Sequence, residues 1–155
     1  MKKILLLVSH GAMLFVGFAL GIYLLPILTA PEPPSAELMA AAEADQQYTG
    51  TFIRDLPGSD FLHWGEGQVM IGKEFISLKG KVAPGPDYKL YLSPSWVTDE
   101  AQFEAAKASM VQVGDVKTFE DFVVKVPATV DPSAYSTVVV WCESFGEFIT
   151  AAQYQ

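Results

Sequence analysis

The sequence predicts an all-β domain, a β-sandwich or barrel-like fold with one short helix, preceded by a single transmembrane helix. Three observations predict it. Residues Ile4 to Leu28 contain no charged side chain. From Tyr48 onward, short runs of β-branched and aromatic residues recur between turn-forming Gly, Pro and Asp. One stretch, Asp99 to Ser109, interrupts them with helix formers behind Thr98 or Asp99 as cap.

The apolar run of 25 residues spans about 37 Å as a helix, enough to cross a bilayer core. Lys2, Lys3 and the α-amine precede it, and the first side-chain charges after it are acidic. The positive-inside rule then places the N-terminus in the cytoplasm and the rest outside, periplasmic or extracellular. A cleaved signal peptide would have a shorter apolar region and a small-x-small site just after it. Here Pro31 follows Ala30 directly, and Ala42-x-Ala44 lies far past the run, so a retained signal-anchor is the expectation. The bilayer is thus the first partner, met through residues 4–28. Gly17 and Gly21 stand in a small-x-x-x-small spacing that lets a second helix approach. His10 lies about 9 Å from the middle of the span, where an ionisable ring faces protein or water, or reaches the headgroups as a neutral imidazole. These three residues are the candidate helix-contact positions, and a membrane protein is the expected second partner.

Residues 29–47 read as a linker. Pro31, Pro33 and Pro34 favour extended geometry, and Ser35 can cap a short helix from Ala36 to Ala44. The remainder, 48–155, is the domain. Its predicted strands are Tyr48–Arg54, Gly67–Ile71, Glu74–Lys79, Tyr88–Leu92, Val111–Lys117, Phe122–Val126, Ser136–Trp141 and Glu147–Ala152. Gly72-Lys73 fits a tight hairpin, and Pro57-Gly58, Pro84-Gly85-Pro86 and Asp131-Pro132 mark turns. The longest β-branched run, Thr137 to Val140, leads into Trp141 and Cys142, the sole cysteine. It reads as a buried strand, with Phe145 to Ile149 turning back against it.

The net charge is −8, and residues 48–155 contribute 14 acids against 8 bases. An acidic domain repels phosphate backbones, so nucleic acid is not an expected partner. One cysteine excludes an intramolecular disulfide, a zinc-ribbon pattern and dithiol exchange. No Cys-x-x-Cys-His, phosphate loop or Gly-x-Ser-x-Gly elbow occurs, and the chain has no asparagine to glycosylate.

Four pieces resemble the DM13 domain in the same order over about Tyr48 to Tyr154. They are Gly50-Thr51-Phe52, then His63 with Gly67-Gln68-Val69, then Ala83-Pro84-Gly85-Pro86-Asp87-Tyr88-Lys89-Leu90-Tyr91-Leu92, then Tyr135 to Cys142 with Phe145. The resemblance implies a role in electron transfer, with Cys142 as the family's proposed redox cysteine.

The residues themselves speak more quietly. Glu143 and Glu147 flank Cys142 and would raise its pKa, and no base lies close in sequence; a buried thiol of this kind acts as a small hydrophobe. His63 is the one histidine of the domain, and with Cys142 it forms a two-ligand metal candidate, with Asp87, Glu66 or Met70 as unsupported thirds. Its plain alternative is a turn histidine beside Trp64, bonded to a loop carbonyl. In Pro84-Gly85-Pro86-Asp87 two prolines fix φ, Gly85 can take a positive φ, and Asp87 can accept from nearby backbone N–H groups. The stretch is otherwise a rigid lip beside a ligand pocket near His63 and Trp96. Trp64 and Trp96, in predicted loops, are candidate contact residues.

These features lead to a membrane-anchored, non-enzymatic accessory or interaction subunit of a larger membrane complex. A redox or metal-binding domain acting through Cys142 with His63 is the alternative, and a small-ligand binder is the weaker one. No cofactor is expected; copper or haem iron would belong to the alternative.

Overall fold

Helix α1 (Lys2–Thr29) is long and apolar enough to cross a bilayer, and none of its residues is buried. The computed structural model describes every residue from Met1 to Gln155. In α1 the Ser9 hydroxyl and His10 Nδ1 turn back to the Leu6 carbonyl at 2.9 and 2.8 Å. The imidazole is therefore satisfied by its own helix. Gly17 and Gly21 face open space, so their side of α1 is left bare by the rest of the chain. On another side, Ile22, Pro26 and Ala30 are half-buried, one per turn, where the end of α1 leans on the β-domain.

Ser35 caps α2 (Ala36–Asp45) as expected, its hydroxyl accepting from Leu38 N–H at 3.3 Å. This helix does not hang free as a spacer. Met39 and Ala42 are buried against the domain. The Asp45 carboxylate accepts from the N–H groups of Glu74 and Phe75 at 2.7 and 3.0 Å, which braces the hairpin at Gly72-Lys73.

Eight strands follow: β1 (Gln46–Phe52), β2 (Gly65–Gly72), β3 (Phe75–Val82), β4 (Tyr88–Ser93), β5 (Val111–Val116), β6 (Glu120–Lys125), β7 (Thr137–Cys142) and β8 (Glu147–Gln153). Every run expected from the sequence is a strand. They form two antiparallel sheets of four, ordered β1-β2-β3-β6 and β5-β4-β7-β8. In β2, Gly67 has φ +124 and lies opposite Gly80 of β3. A Cβ on Gly67 would stand 2.3 Å from the Lys79 carbonyl oxygen, so only hydrogen fits there.

The sheets pack face to face over one core drawn from both, including Ile71, Leu78, Leu90, Phe122, Val138 and Val140. A second core lies on the far side of β7. Helix α3 (Glu100–Ala106), capped by Asp99 through Gln102 N–H at 2.8 Å, runs into a short 3₁₀ turn at Lys107–Ser109. It covers Val139, Trp141, Phe148 and Ala151 with Phe103. The Phe103 ring stacks on the Trp141 indole at 3.9 Å between centroids, 9° from parallel. β7 is buried on both faces for this reason, and its six residues are apolar apart from Thr137 and Cys142. Trp141 and Cys142, neighbours in sequence, belong to opposite sides of the sheet.

Phe103 is fully buried, so Phe103→Ala leaves a cavity beneath α3. It should lower unfolding stability by about 3–5 kcal/mol. Urea unfolding followed by tryptophan emission measures this, and a native-state red shift should accompany it as Trp141 meets water.

Candidate functional site

Cys142 ends β7 with its side chain toward the main core, where the Pro84–Asp87 loop crosses it. Three bonds join that loop to the turn after β7. The Cys142 thiol donates to the Pro86 carbonyl at 3.0 Å, Glu143 N–H donates to the Asp87 carbonyl at 3.1 Å, and the Ser144 hydroxyl donates to the Asp87 carboxylate at 2.9 Å. The two most distinctive stretches of the sequence thus lie against each other.

The loop's rigidity has a different origin from the one expected. Among its residues the positive φ, 55°, belongs to Asp87 and not to Gly85. Gly85 is needed for space: a Cβ there would lie 2.3 Å from the Tyr88 hydroxyl oxygen. Nor does Asp87 cap its neighbours' N–H groups. Its carboxylate takes Lys89 Nζ at 2.8 Å and the Ser144 hydroxyl. Lys89 also reaches Asp115 at 2.8 Å. Lys89 and Ser144 together hold the Asp87 carboxyl below the usual carboxylate range.

A cavity of about 360 Å³ opens beside Cys142. Pro84, Gly85, Pro86 and Tyr88 form one wall, Leu62 and His63 a second, and Phe145, Glu147 and Ile149 a third; Ala19, Ile22 and Tyr23 of α1 close it. Cys142 and His63, far apart in sequence, meet here. Trp64 and Trp96 do not line it. Trp64 lies under Arg54, whose guanidinium carbon is 3.6 Å from the ring centroid. Trp96 is exposed in the loop before α3. Asp87 stands behind the wall and does not face in.

His63 is held differently from the loop-carbonyl reading. Its Nδ1 lies 3.1 Å from Asp60 Oδ2, while Asp60 Oδ1 accepts from the N–H groups of Leu62 and His63, both at 2.7 Å. Burial works against the Asp60 charge, but these donors outweigh it and lower its pKa. Asp60 was not legible as a site residue, although Asp three positions before His is the spacing of such a turn.

Burial pushes the Cys142 thiol up, against the partial relief that Phe145 and Ser144 N–H groups would give a thiolate; Asp87 and Glu147 add to the rise. Glu143 does not contribute as its position in sequence implied, being bound instead to Lys107 at 3.1 Å and to the Tyr91 hydroxyl. The thiol is a proton donor to a carbonyl and is not poised as a nucleophile.

The donor set does not make a copper site from protein ligands alone, since no three His, Cys, Asp or Glu side chains converge. Cys142 spends its proton on Pro86 and His63 its Nδ1 on Asp60, which leaves the imidazole Nε2 as one free ligand. The candidates for a third are occupied or sealed: Asp87 by Lys89, Glu66 by Arg54 at 3.7 Å, and Met70 by burial in the core. A soft-metal site needs three or four convergent ligands.

Two measurements check the state of the thiol. In the native protein a thiol reagent should label Cys142 far more slowly than in denaturant. The folded thiol pKa lies above its unfolded value, near 8.5. This group's contribution to stability is therefore whole below about pH 8.5 and is lost as pH rises through the folded value. Stability should fall as pH rises above about 8.5, with a smaller fall in Cys142→Ser.

The family model described as Electron transfer DM13 matches residues 57–154. That span includes seven of the eight strands, the Pro84–Asp87 loop and Cys142, and leaves out α1, α2 and β1. No curated protein and no solved structure matches the chain. With more than half of its length under that match, and with the matched motifs meeting around one buried thiol, the chain belongs to the DM13 family.

Proposed function

We propose that the protein is a membrane-anchored, extracytoplasmic accessory subunit of a membrane complex, built to interact and not to catalyse. α1 is the anchor, with Lys2 and Lys3 on the cytoplasmic side and the domain in the periplasm or outside the cell. The observation that carries this reading is the use made of Cys142. Its thiol is buried, keeps its proton and fastens one loop to another through Pro86. His63 likewise commits its Nδ1 to Asp60. The bare Gly17–Gly21 side of α1 suits a partner helix in the bilayer.

One observation favours a second reading, in which the domain works in electron transfer through Cys142. The thiol and His63 line the same cavity, and the family is described by electron transfer.

Two experiments separate the readings. Isolation of the full chain in mild detergent should recover it with a membrane protein partner, and Gly17→Leu with Gly21→Leu should weaken that recovery at least tenfold. Recovery of the chain alone would overturn the accessory reading. Cys142→Ser, whose hydroxyl can still donate to the Pro86 carbonyl, should fold and retain function in the cell. A folded Cys142→Ser chain without function would establish the redox reading instead.

A further inference from the structure

Three loops close one end of the sandwich: Ile53 to Trp64, Ala83 to Asp87, and Glu143 to Gly146. Strand register brings them together. Phe52 lies opposite Gly67, Gly65 opposite Val82, Tyr88 opposite Cys142, and Cys142 opposite Glu147. The Ala83 N–H donates to the Trp64 carbonyl at 2.8 Å, and the Cys142 thiol donates to the Pro86 carbonyl. The Gly72-Lys73 hairpin lies at the opposite end of the same strands.

Large apolar side chains collect on the loop end. From α2 onward six are exposed, and four of them, Ile53, Phe61, Leu62 and Phe145, belong to these loops. Phe61 is 83 % exposed and Phe145 54 %. Leu62 and Phe145 line one cavity, so they are neighbours in space. A fifth, Leu38, is in the first turn of α2. Such a concentration on an otherwise acidic domain marks a contact surface.

The course of α2 says what that surface meets. Asp45, its last residue, is bonded to the N–H groups of Glu74 and Phe75 at the hairpin end, and Glu43 pairs with Lys79, further along β3. Followed back to Ser35, the helix therefore runs from the hairpin toward the loop end. Six residues, Ala30 to Ser35, separate it from α1, and three of them are proline. Fully extended they reach about 20 Å. Met39 and Ala42 are buried against the sheet, so α2 adds no slack. The domain is tied to the bilayer at close range, from the side of its apolar loops.

We propose that the loop end is a lipid-facing surface, with Ile53, Phe61, Leu62 and Phe145 seated in the headgroup layer of the leaflet from which α1 emerges. The occupant is the bilayer itself. The side chains enter only the headgroup boundary, which leaves Asp60, His63 and Glu147 in water. Asp55, Asp60 and Glu147 stand in or beside these loops and are repelled by anionic lipid, so the surface suits phospholipid without net charge. The inference rests on α1 being an anchor and takes nothing from the packing of α1 at the cavity. It goes beyond the accessory reading, since it needs no partner protein.

The test uses the full chain with Cys142→Ser, or Cys142→Ala if that variant fails to fold, in phosphatidylcholine vesicles carrying a nitroxide on the acyl chain near the headgroup. Phe61→Cys, Phe145→Cys and Lys73→Cys are introduced one at a time and labelled with a nitrobenzoxadiazole fluorophore. Emission at positions 61 and 145 should fall about twofold or more, as for side chains at the headgroup boundary, and emission at Lys73→Cys on the far hairpin should not change. Adding Phe61→Asp to the Phe145→Cys chain should remove most of the quenching there. Replacing half of the phosphatidylcholine by phosphatidylglycerol should weaken it too. A chain that enters the vesicles with both loop labels unquenched would overturn the proposal and leave the anchor standing. Quenching that ignores Phe61→Asp would overturn it as well, since the tether alone would then hold the domain close. A chain that stays out of the vesicles would overturn the anchor and this surface together.

Discussion

The structure depends on β7 being apolar on both faces. A strand of an ordinary sandwich hides one face and shows the other to solvent. Here Val138, Val140 and Cys142 point into the space between the sheets, and Val139 and Trp141 point the other way. That second face is tolerable only under a cover, and α3 supplies one through Phe103 stacked on Trp141. Lys107 completes the lid, its ammonium 5.5 Å from the Phe103 centroid and bonded to Glu143 just after β7. The helix that interrupts the strand series is therefore a structural requirement of β7. It also holds in place the end of β7, from which Cys142 and its turn project.

At that end the domain carries a small polar clasp over an apolar hollow. Asp87, held by Lys89 and Ser144, fixes the turn after β7 to the loop before β4. Behind the clasp lie the thiol and the Tyr88 ring. The clasp is charged and exposed, so its Coulombic worth is modest. Its backbone and thiol bonds are short-range and sheltered, and they define the cavity wall. Asp87 at φ 55 carries a backbone strain that asparagine and aspartate bear better than most residues. The two most distinctive stretches of the sequence each supply half of one contact.

Much of the fold could be read from residue patterns. The strand runs, the Asp99 and Ser35 caps and the long apolar helix rest on local preferences, which act within a few residues and leave a trace in sequence. Strand ends were less legible, because ladder pairing decides them. β1 starts at Gln46 since Gln46 pairs with Gly72, a residue in another strand. Of the candidate site, Cys142 and His63 proved to share a cavity, but Trp64 and Trp96 did not join them. Trp64 looked free because nothing near it in sequence announces Arg54 across its ring.

The sequence by itself determined the class of the domain, its single thiol, its acidic charge and the apolar helix ahead of it, because composition and period act along the chain. Tertiary structure alone decided three matters: that Phe103 of α3 covers the Trp141 face of β7, that Ser144 and Asp87 meet, and that α1 closes the cavity beside His63. Each of these is a meeting of segments distant in sequence. Such meetings are set by sheet order and by the packing of whole faces, and single residues do not encode them.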